Sequence, residues 1–389
     1  MPKFTLPLLI LTLIALCSCA TQPHIVLTAR QFNVLNYWDK DLHFEALETF
    51  YNSCAIILKQ DPNKQPYIYP KNPQFGKLLT WQNACRKIPP EGLINKTIAR
   101  NYFETNFIPY EIKNQKNQVT GFFTGYYEPM VKGSLTKHPP YVYPLYKTPN
   151  NIIKVDLGQF DSKLKNKTIR GILSNNKIIP LYTREQIDNG VLNNQGLELV
   201  WTKSPIDNFF IHIQGSGQIN LDNGQKLYLS YDNENGHPYF TIGKYLKEKK
   251  YLTSPISMQK IKFWLNQNPD KAQWVMQQNP SFIFFKARNE PNPIGAQGIA
   301  ITPTRSLAID KNFIPLGIPL WLEVNHPNKD SSKIYRLMIA QNTGEDIQGA
   351  IRGDFFWGHG EKAEDYAGKM QSTGRYWALI PKDSSNDNR

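Results

Sequence analysis

At 389 residues the chain exceeds what one ordinary hydrophobic core needs, so one large or two moderate domains are expected. A hydrophobic share of 40%, with 20 Tyr, 20 Phe and 8 Trp, excludes a largely disordered chain and favours β-structure. The formal charge of +13 implies an acidic partner, but Lys and Arg are dispersed, so charge alone leaves nucleic acid, anionic lipid and acidic polysaccharide open.

At the N-terminus, Lys3 precedes an apolar run from Phe4 to Leu16 that is too short to span a bilayer as a mature helix, and residues 1–18 read as a signal peptide. Its end, Leu16-Cys17-Ser18-Cys19, resembles the lipobox of bacterial lipoproteins, with Cys19 as the residue that becomes lipidated. Cys17 fits worse because bulky Leu16 precedes it. The resemblance implies export, and Ala20 in place of Asp implies anchoring through Cys19 in the inner leaflet of the outer membrane, facing the periplasm. Export removes nucleic acid as a partner. An oxidising periplasm would permit a disulfide between Cys54 and Cys85 if their Cβ atoms meet. With no CxxC, and no HExxH among the 7 His, neither a metal nor a cofactor is expected.

Between Asp41 and Gln60, Phe44, Leu47, Tyr51, Cys54 and Leu58 recur at helical spacing and predict a helix with one core face. Phe75, Leu78, Leu79, Gln82 and Cys85 predict a second, after Pro73, and Ile98 to Phe107 a third. From Val119 the period changes to two. The runs GFFTGYY, PYVYPLY, NIIKV, LELVW and FFIHIQGSGQINL are expected to be strands, and Asp222-Asn223-Gly224 a hairpin turn. Ser254-Pro255 and Asn268-Pro269 each predict a polar cap followed by Pro at the first helical position. Strands return after about residue 287, and the tail from Lys382 is polar enough to be disordered.

Chemistry concentrates in glycine-punctuated segments, above all Gly349 to Gly360, GAIRGDFFWGHG. Here one acid, Asp354, stands beside Phe355, Phe356 and Trp357, and a carboxyl group held against apolar rings keeps its proton near neutral pH, as a general acid must. The plainer reading is a buried turn whose Asp satisfies backbone amides. A Gly215-Ser216-Gly217 tripeptide without a following helix is not a phosphate loop, and Ser216 is not in a G-x-S-x-G elbow, which argues against a serine hydrolase.

Taken together, FTGYYEP (Phe123 to Pro129), IQGSGQ (Ile213 to Gln218), NGHPY (Asn235 to Tyr239), NPSFIFF (Asn279 to Phe285), TPTRSLAID (Thr302 to Asp310) and RGDFFWGHG (Arg352 to Gly360) resemble the membrane-bound lytic murein transglycosylase A family. The likeness runs from about Val119 to Trp377. It implies a mainly β fold with N-terminal helices: a double-psi β-barrel domain from residues 19–128 and 288–389, a smaller β-domain inserted at 129–287, and a groove between them for peptidoglycan glycan strands. It implies cleavage of the β-1,4 bond between N-acetylmuramic acid and N-acetylglucosamine, leaving a 1,6-anhydromuramic end, with Asp354 as the essential acid. A place in a cell-wall synthesis or remodelling complex is compatible with that activity. The rival expectation is a non-catalytic peptidoglycan-binding lipoprotein.

One departure stands out: Asn342, where many relatives of this family have Asp, offers an amide that can hydrogen-bond sugar but no second carboxylate. Arg352, two residues from Asp354, would lower its pKa if close, and is expected to point elsewhere with Gly353 breaking the alternation. Thr124, Tyr126, Gln214, Gly215, Ser216 and Asn342 are the candidate sugar contacts. Glu128 is expected to fix the interdomain crossing, Asp310 to anchor a turn, and His359 to serve as a loop hydrogen-bond partner.

Overall fold

The computed structural model describes residues 25–164, 167–328, 332–344 and 346–383. The signal-peptide and Cys19 readings lie outside the described residues, as does the tail from residue 384. Among the described residues no helix is long and apolar enough to cross a membrane.

The chain enters through β1 (Val26–Ala29), α1 (His43–Ile57), α2 (Leu78–Arg86), α3 (Lys96–Asn106) and β2 (Phe107–Lys113) before reaching β3 (Gly121–Glu128). The buried stripe of α1 is Leu47, Phe50, Cys54 and Ile57, at helical spacing. The expected stripe is therefore rotated: Tyr51 is 61% exposed and Leu58 39%, while Phe50 and Ile57 take the core places. Likewise α2 exposes Leu79 and buries Trp81. α3 begins at Asn95, whose side chain accepts the Ile98 N–H at 3.0 Å, satisfying one of the helix's otherwise orphaned donors. A Cys54–Cys85 disulfide joins α1 to α2, with Cα atoms 5.4 Å apart.

From β3 the chain passes directly into a second sheet. Its elements are β4 (Met130–Ser134), β5 (Tyr143–Tyr146), β6 (Ile152–Asp156), β7 (Thr168–Ser174), β8 (Lys177–Ile179), α4 (Arg184–Asp188), β9 (Glu198–Thr202), α5 (Pro205–Gln214), β10 (Ser216–Leu221), β11 (Lys226–Glu234), α6 (Ile242–Glu248), α7 (Met258–Gln267), α8 (Pro269–Gln277) and β12 (Ile283–Arg288). Six strands pair in the order β12-β11-β10-β4-β9-β5, and β6-β7-β8 form a separate ribbon. The Asp222-Asn223-Gly224 turn does join β10 to β11 as an antiparallel pair. Two expectations are corrected. Phe209-Phe210-Ile211-His212-Ile213-Gln214 is not strand but α5, started by Ser204, whose hydroxyl accepts the Asp207 N–H at 3.1 Å, and ended by Gly215 at φ 75°. Ser254-Pro255 does not start a helix either; α7 begins at Met258, capped by Ser257.

The return leg comprises β13 (Ser306–Ile309), β14 (Pro319–Asn325), β15 (Lys333–Asn342), β16 (Arg352–His359), α9 (Glu361–Lys369) and β17 (Gln371–Pro381). These join the first strands in the order β1-β2-β17-β14-β15-β13-β16-β3. β17 is long enough to pair with β3, β14 and β2 in succession, so β17, β14, β15, β13, β16 and β3 close into a six-stranded ring. The largest core cluster joins this ring to α1, α2 and α3 through Trp81, Trp321, Trp377 and Phe50. Arg305 of the TPTRS segment locks the same junction, gripping buried Asp41 bidentately at 2.8 and 3.0 Å and Glu45 at 2.9 Å.

The two chain crossings between sheets lie at Glu128, the last residue of β3, and Arg288, the last of β12, and they form a buried ion pair with each other. Gln218 of β10 adds a hydrogen bond to Glu128 at 2.9 Å. Asp310 anchors the loop before β14, accepting the Asn312 N–H at 2.9 Å and the Gly349 N–H at 2.8 Å.

Candidate active site

β16 lies between β13 and β3, with Asp354 opposite Ala308 on one side and Thr124 on the other. Successive side chains alternate across a strand, so Arg352, Asp354 and Phe356 share the face that carries Thr124 and Tyr126. Gly353 and Phe355 turn to the core, where Phe355 is fully buried. Gly353 thus preserves the alternation that was expected to break there, and Arg352 does not point elsewhere. Its Nη2 donates to the Thr124 hydroxyl at 2.9 Å, and that hydroxyl donates to Asp354 Oδ1 at 2.7 Å. The apolar neighbours of the carboxyl group are correspondingly fewer than the sequence suggests: Phe356 shares its face, packed on Tyr126 with ring centroids 5.0 Å apart.

Asp354 is half-buried. Desolvation raises its pKa to about 6 against the opposing pull of the Thr124 hydrogen bond and the Arg352 charge, with a smaller upward push from Asp346. Asn342, at the end of β15, donates from Nδ2 to the Tyr126 hydroxyl at 3.1 Å and accepts the Ala296 N–H at 3.0 Å on Oδ1. Burial holds the Tyr126 phenol above its ordinary pKa, so it stays protonated near neutral pH.

The six-stranded sheet contributes a second wall. At the end of α5, Gln214 Oε1 accepts the Tyr127 N–H at 3.2 Å, tying that helix to β3. Gly215 follows in the left-handed region as the helix cap, with open space where a Cβ would stand. Ser216 is buried and hydrogen-bonds Glu128. Gly125, between Thr124 and Tyr126, is required for close packing: an added Cβ would lie 2.6 Å from Trp357 Nε1 and 2.9 Å from the α9 backbone at Ala367.

A cavity of about 550 Å³ opens between these walls. Thr124, Gly125, Ala367 and Gln371 line it from the ring side, Phe209, Phe210, Ile213 and Gln214 from α5, Met258 and Ile261 from α7, and Thr241, Lys244 and Lys247 at α6. Asp354 stands one hydrogen bond behind Thr124. The wall formed by α7 is pinned to α9: Lys262 pairs with Glu364 and Asp207, each at 3.2 Å, and Gln259 donates to the Glu364 carbonyl at 3.1 Å.

Of the sequence-derived candidates, the structure brings Thr124 together with Asp354 and Tyr126 with Asn342. It sets Gln214 on the facing wall, with Gly215 following as the helix cap and Ser216 buried, neither of the two lining the cavity. The helical walls around α6 and α7 were missed by the motif reading, and Lys244 and Lys247 carry no signal beyond ordinary helix-surface lysines. His359 is exposed at the end of β16. Among the described residues no three His, Cys, Asp or Glu side chains converge as metal ligands.

Residues 122–286 match the MltA specific insert domain, and residues 305–380 match the 3D domain. Membrane-bound lytic murein transglycosylase A of Escherichia coli K12 is 30% identical over 291 residues, 72% of this chain and 71% of that protein. The crystal structure of MltA from Neisseria gonorrhoeae superposes with a TM-score of 0.77 at 31% identity, covering 92% of this chain and 93% of that one. E. coli MltA with bound chitohexaose superposes with a TM-score of 0.66 at 25% identity, covering 93% and 96%.

Proposed function

The chain belongs to the membrane-bound lytic murein transglycosylase A family and is a peptidoglycan lytic transglycosylase, and from that premise we propose that Asp354 serves as its only general acid and base. The observation that carries the assignment is a half-buried carboxyl group raised to a pKa of about 6 by its surroundings, one hydrogen bond from the groove. Protonated, Asp354 gives its proton to the glycosidic oxygen as the bond to the anomeric carbon breaks, releasing N-acetylglucosamine as the alcohol. The 6-hydroxyl of the same muramic acid residue then bonds to that carbon. Its proton passes to the Asp354 carboxylate, which restores the enzyme. No water is consumed, and the product carries a 1,6-anhydro ring.

Ordinary glycosidases need two carboxylates because one must activate or replace an external nucleophile. Here the nucleophile is tethered to the substrate, which removes most of the entropic cost of positioning it. The amide of Asn342, engaged with Tyr126 and Ala296, supports a one-carboxylate mechanism. Thr124 and Arg352 orient the acid, while Tyr126, Asn342, Gln214 and Gly215 present hydrogen-bonding groups to sugar. Ser216 serves the groove through Glu128, at the crossing between the two sheets. The closed ring formed by the first and last thirds of the chain supports a double-psi β-barrel domain with N-terminal helices, and the intervening sheet supports an inserted domain over about 129–287. The Cys19 lipobox supports a lipid anchor in the outer membrane, facing the periplasm.

The test is digestion of purified sacculi followed by mass spectrometry of the released muropeptides. Anhydro ends weigh one water less than hydrolysed ends. Their appearance with the parent and disappearance with Asp354→Asn supports the mechanism. Hydrated ends indicate a conventional glycosidase, and binding without release indicates a non-catalytic wall protein.

A further inference from the structure

We propose that Lys244 and Lys247 hold the carboxylates of the peptides that branch from the glycan, making the cavity beside Thr124 a peptide subsite that favours peptide-bearing strands over stripped ones. The inference rests on the transglycosylase reading and adds the part of the substrate that reading leaves open.

Thr241, Lys244 and Lys247 lie three residues apart, on one strip along α6 at the cavity. The helix is held in place because Ile242, Tyr245 and Leu246 are buried in a core cluster shared with α5, α7 and α8. The rim is therefore a rigid support carrying two flexible ammonium groups, and lysine suits a carboxylate whose orientation varies. Among the described residues, no Asp or Glu side chain lines the cavity. The nearest acid to Lys244 is Glu248, 3.9 Å away, with both side chains mostly exposed. A pairing of that kind is weak enough for an incoming carboxylate to displace.

Charge and apolar surface together select the occupant. A strand stripped by an amidase is itself anionic, because each muramic acid keeps its lactyl carboxylate, but that carboxylate sits at the sugar ring with no apolar side chains beyond it. Wall peptides end in carboxylates and carry short aliphatic side chains, and the cavity places apolar Phe209, Ile213 and Met258 next to its two cations. Its volume of about 550 Å³ suits a short branch. Thr124, hydrogen-bonded to Asp354, lines the same cavity, so a branch held at α6 belongs to a sugar near that acid.

The experiment compares initial rates on peptide-bearing strands and on strands stripped of peptide by an amidase, for the parent, Lys244→Gln/Lys247→Gln and Lys244→Arg/Lys247→Arg. The expected result is a parent preference for peptide-bearing strands that weakens with added salt. The glutamine pair lowers the ratio of the two rates about fivefold to tenfold, and the arginine pair retains it. Co-sedimentation with sacculi reads the same contact without turnover, and unchanged melting temperatures exclude a folding effect. A ratio unaltered by the glutamine pair, together with unaltered sacculus binding, overturns the inference. Absence of anhydro products from both substrates with the parent would instead overturn the transglycosylase reading, and sacculus binding would then decide the lysines separately.

Discussion

The Thr124 hydroxyl donates to Asp354 Oδ1 over 2.7 Å while accepting from Arg352 over 2.9 Å, so the guanidinium reaches the acid through a neutral hydroxyl. This arrangement reconciles two demands. An arginine in direct contact would hold the carboxyl group ionised and useless as an acid, whereas no donor at all would leave its orientation free. Through Thr124, Arg352 fixes the geometry while burial still sets the pKa near 6.

Replacing Thr124 by Val should therefore move the pH profile. With Asp354 as the proposed acid, kcat/KM of the parent should fall as pH rises through about 6, because the ionised carboxyl group has no proton to donate. The Thr124 hydrogen bond lowers this pKa, so its loss should shift the falling limb towards higher pH while reducing the maximum rate through poorer orientation. Turnover measured between pH 4.5 and 8.5 checks this. A limb that stays in place or moves to lower pH contradicts the role given to Thr124.

Much of this site was legible before the fold. Asp354 was visible because it is the one acid among glycines and aromatics, and Thr124 and Tyr126 because their segment FTGYYEP is among those that carry the family resemblance. What sequence could not supply was partnership across 230 residues between Thr124 and Asp354, or 216 between Tyr126 and Asn342. The error over α5 has a local cause. Five of its residues, Asn208, Phe209, Phe210, Ile211 and His212, are buried in succession, which erases the amphipathic period; the end signals Ser204-Pro205 and Gly215 carried the information instead. The rotated stripe of α1 arose because Phe50 and Tyr51, adjacent in sequence, are equally plausible core residues until Trp81 and Phe107 are seen packing against Phe50.

Asp354→Asn should separate activity from stability. Loss of the proposed acid should lower turnover by about 10³-fold or more. The folded-state pKa lies above the unfolded value of about 3.8, so ionising Asp354 in the native protein costs stability. That cost is absent below pH 4, grows as pH rises towards 6, and is constant above it. The variant should thus be more stable than the parent at pH 7.5, by about 1–3 kcal/mol, and equal to it near pH 4. Urea unfolding at both pH values checks the sign; a variant less stable at pH 7.5 would be incompatible with a carboxylate held against its solvation.

The Glu128–Arg288 pair should behave as a buried latch between the two sheets. Arg288→Ala leaves Glu128, fully buried, without its counter-charge, which should cost about 3–5 kcal/mol. Replacing both partners, as Glu128→Gln with Arg288→Met, removes the uncompensated charge and should recover most of that loss while leaving Ser216 and Gln218 their hydrogen-bond acceptor. Denaturant midpoints for the two single variants and the double variant form the cycle. Equal losses that simply add would show that the two side chains act independently.

The Cys54–Cys85 disulfide should contribute to stability without touching chemistry. It closes a segment of 31 residues between α1 and α2, and a loop of that length restrains the unfolded chain by about 3–4 kcal/mol in the entropic description. Neither sulfur lines the groove, and both side chains sit in the core cluster that joins the helices to the ring. Cys54→Ala with Cys85→Ala should accordingly lower the thermal midpoint markedly, yet leave the rate of anhydro-muropeptide release at 25 °C close to that of the parent. The parent treated with reductant should show the same lowered midpoint, and the double variant should not respond to reductant at all. A double variant that melts with the untreated parent would mean that packing of α1 against α2, and not the covalent link, holds the two helices together.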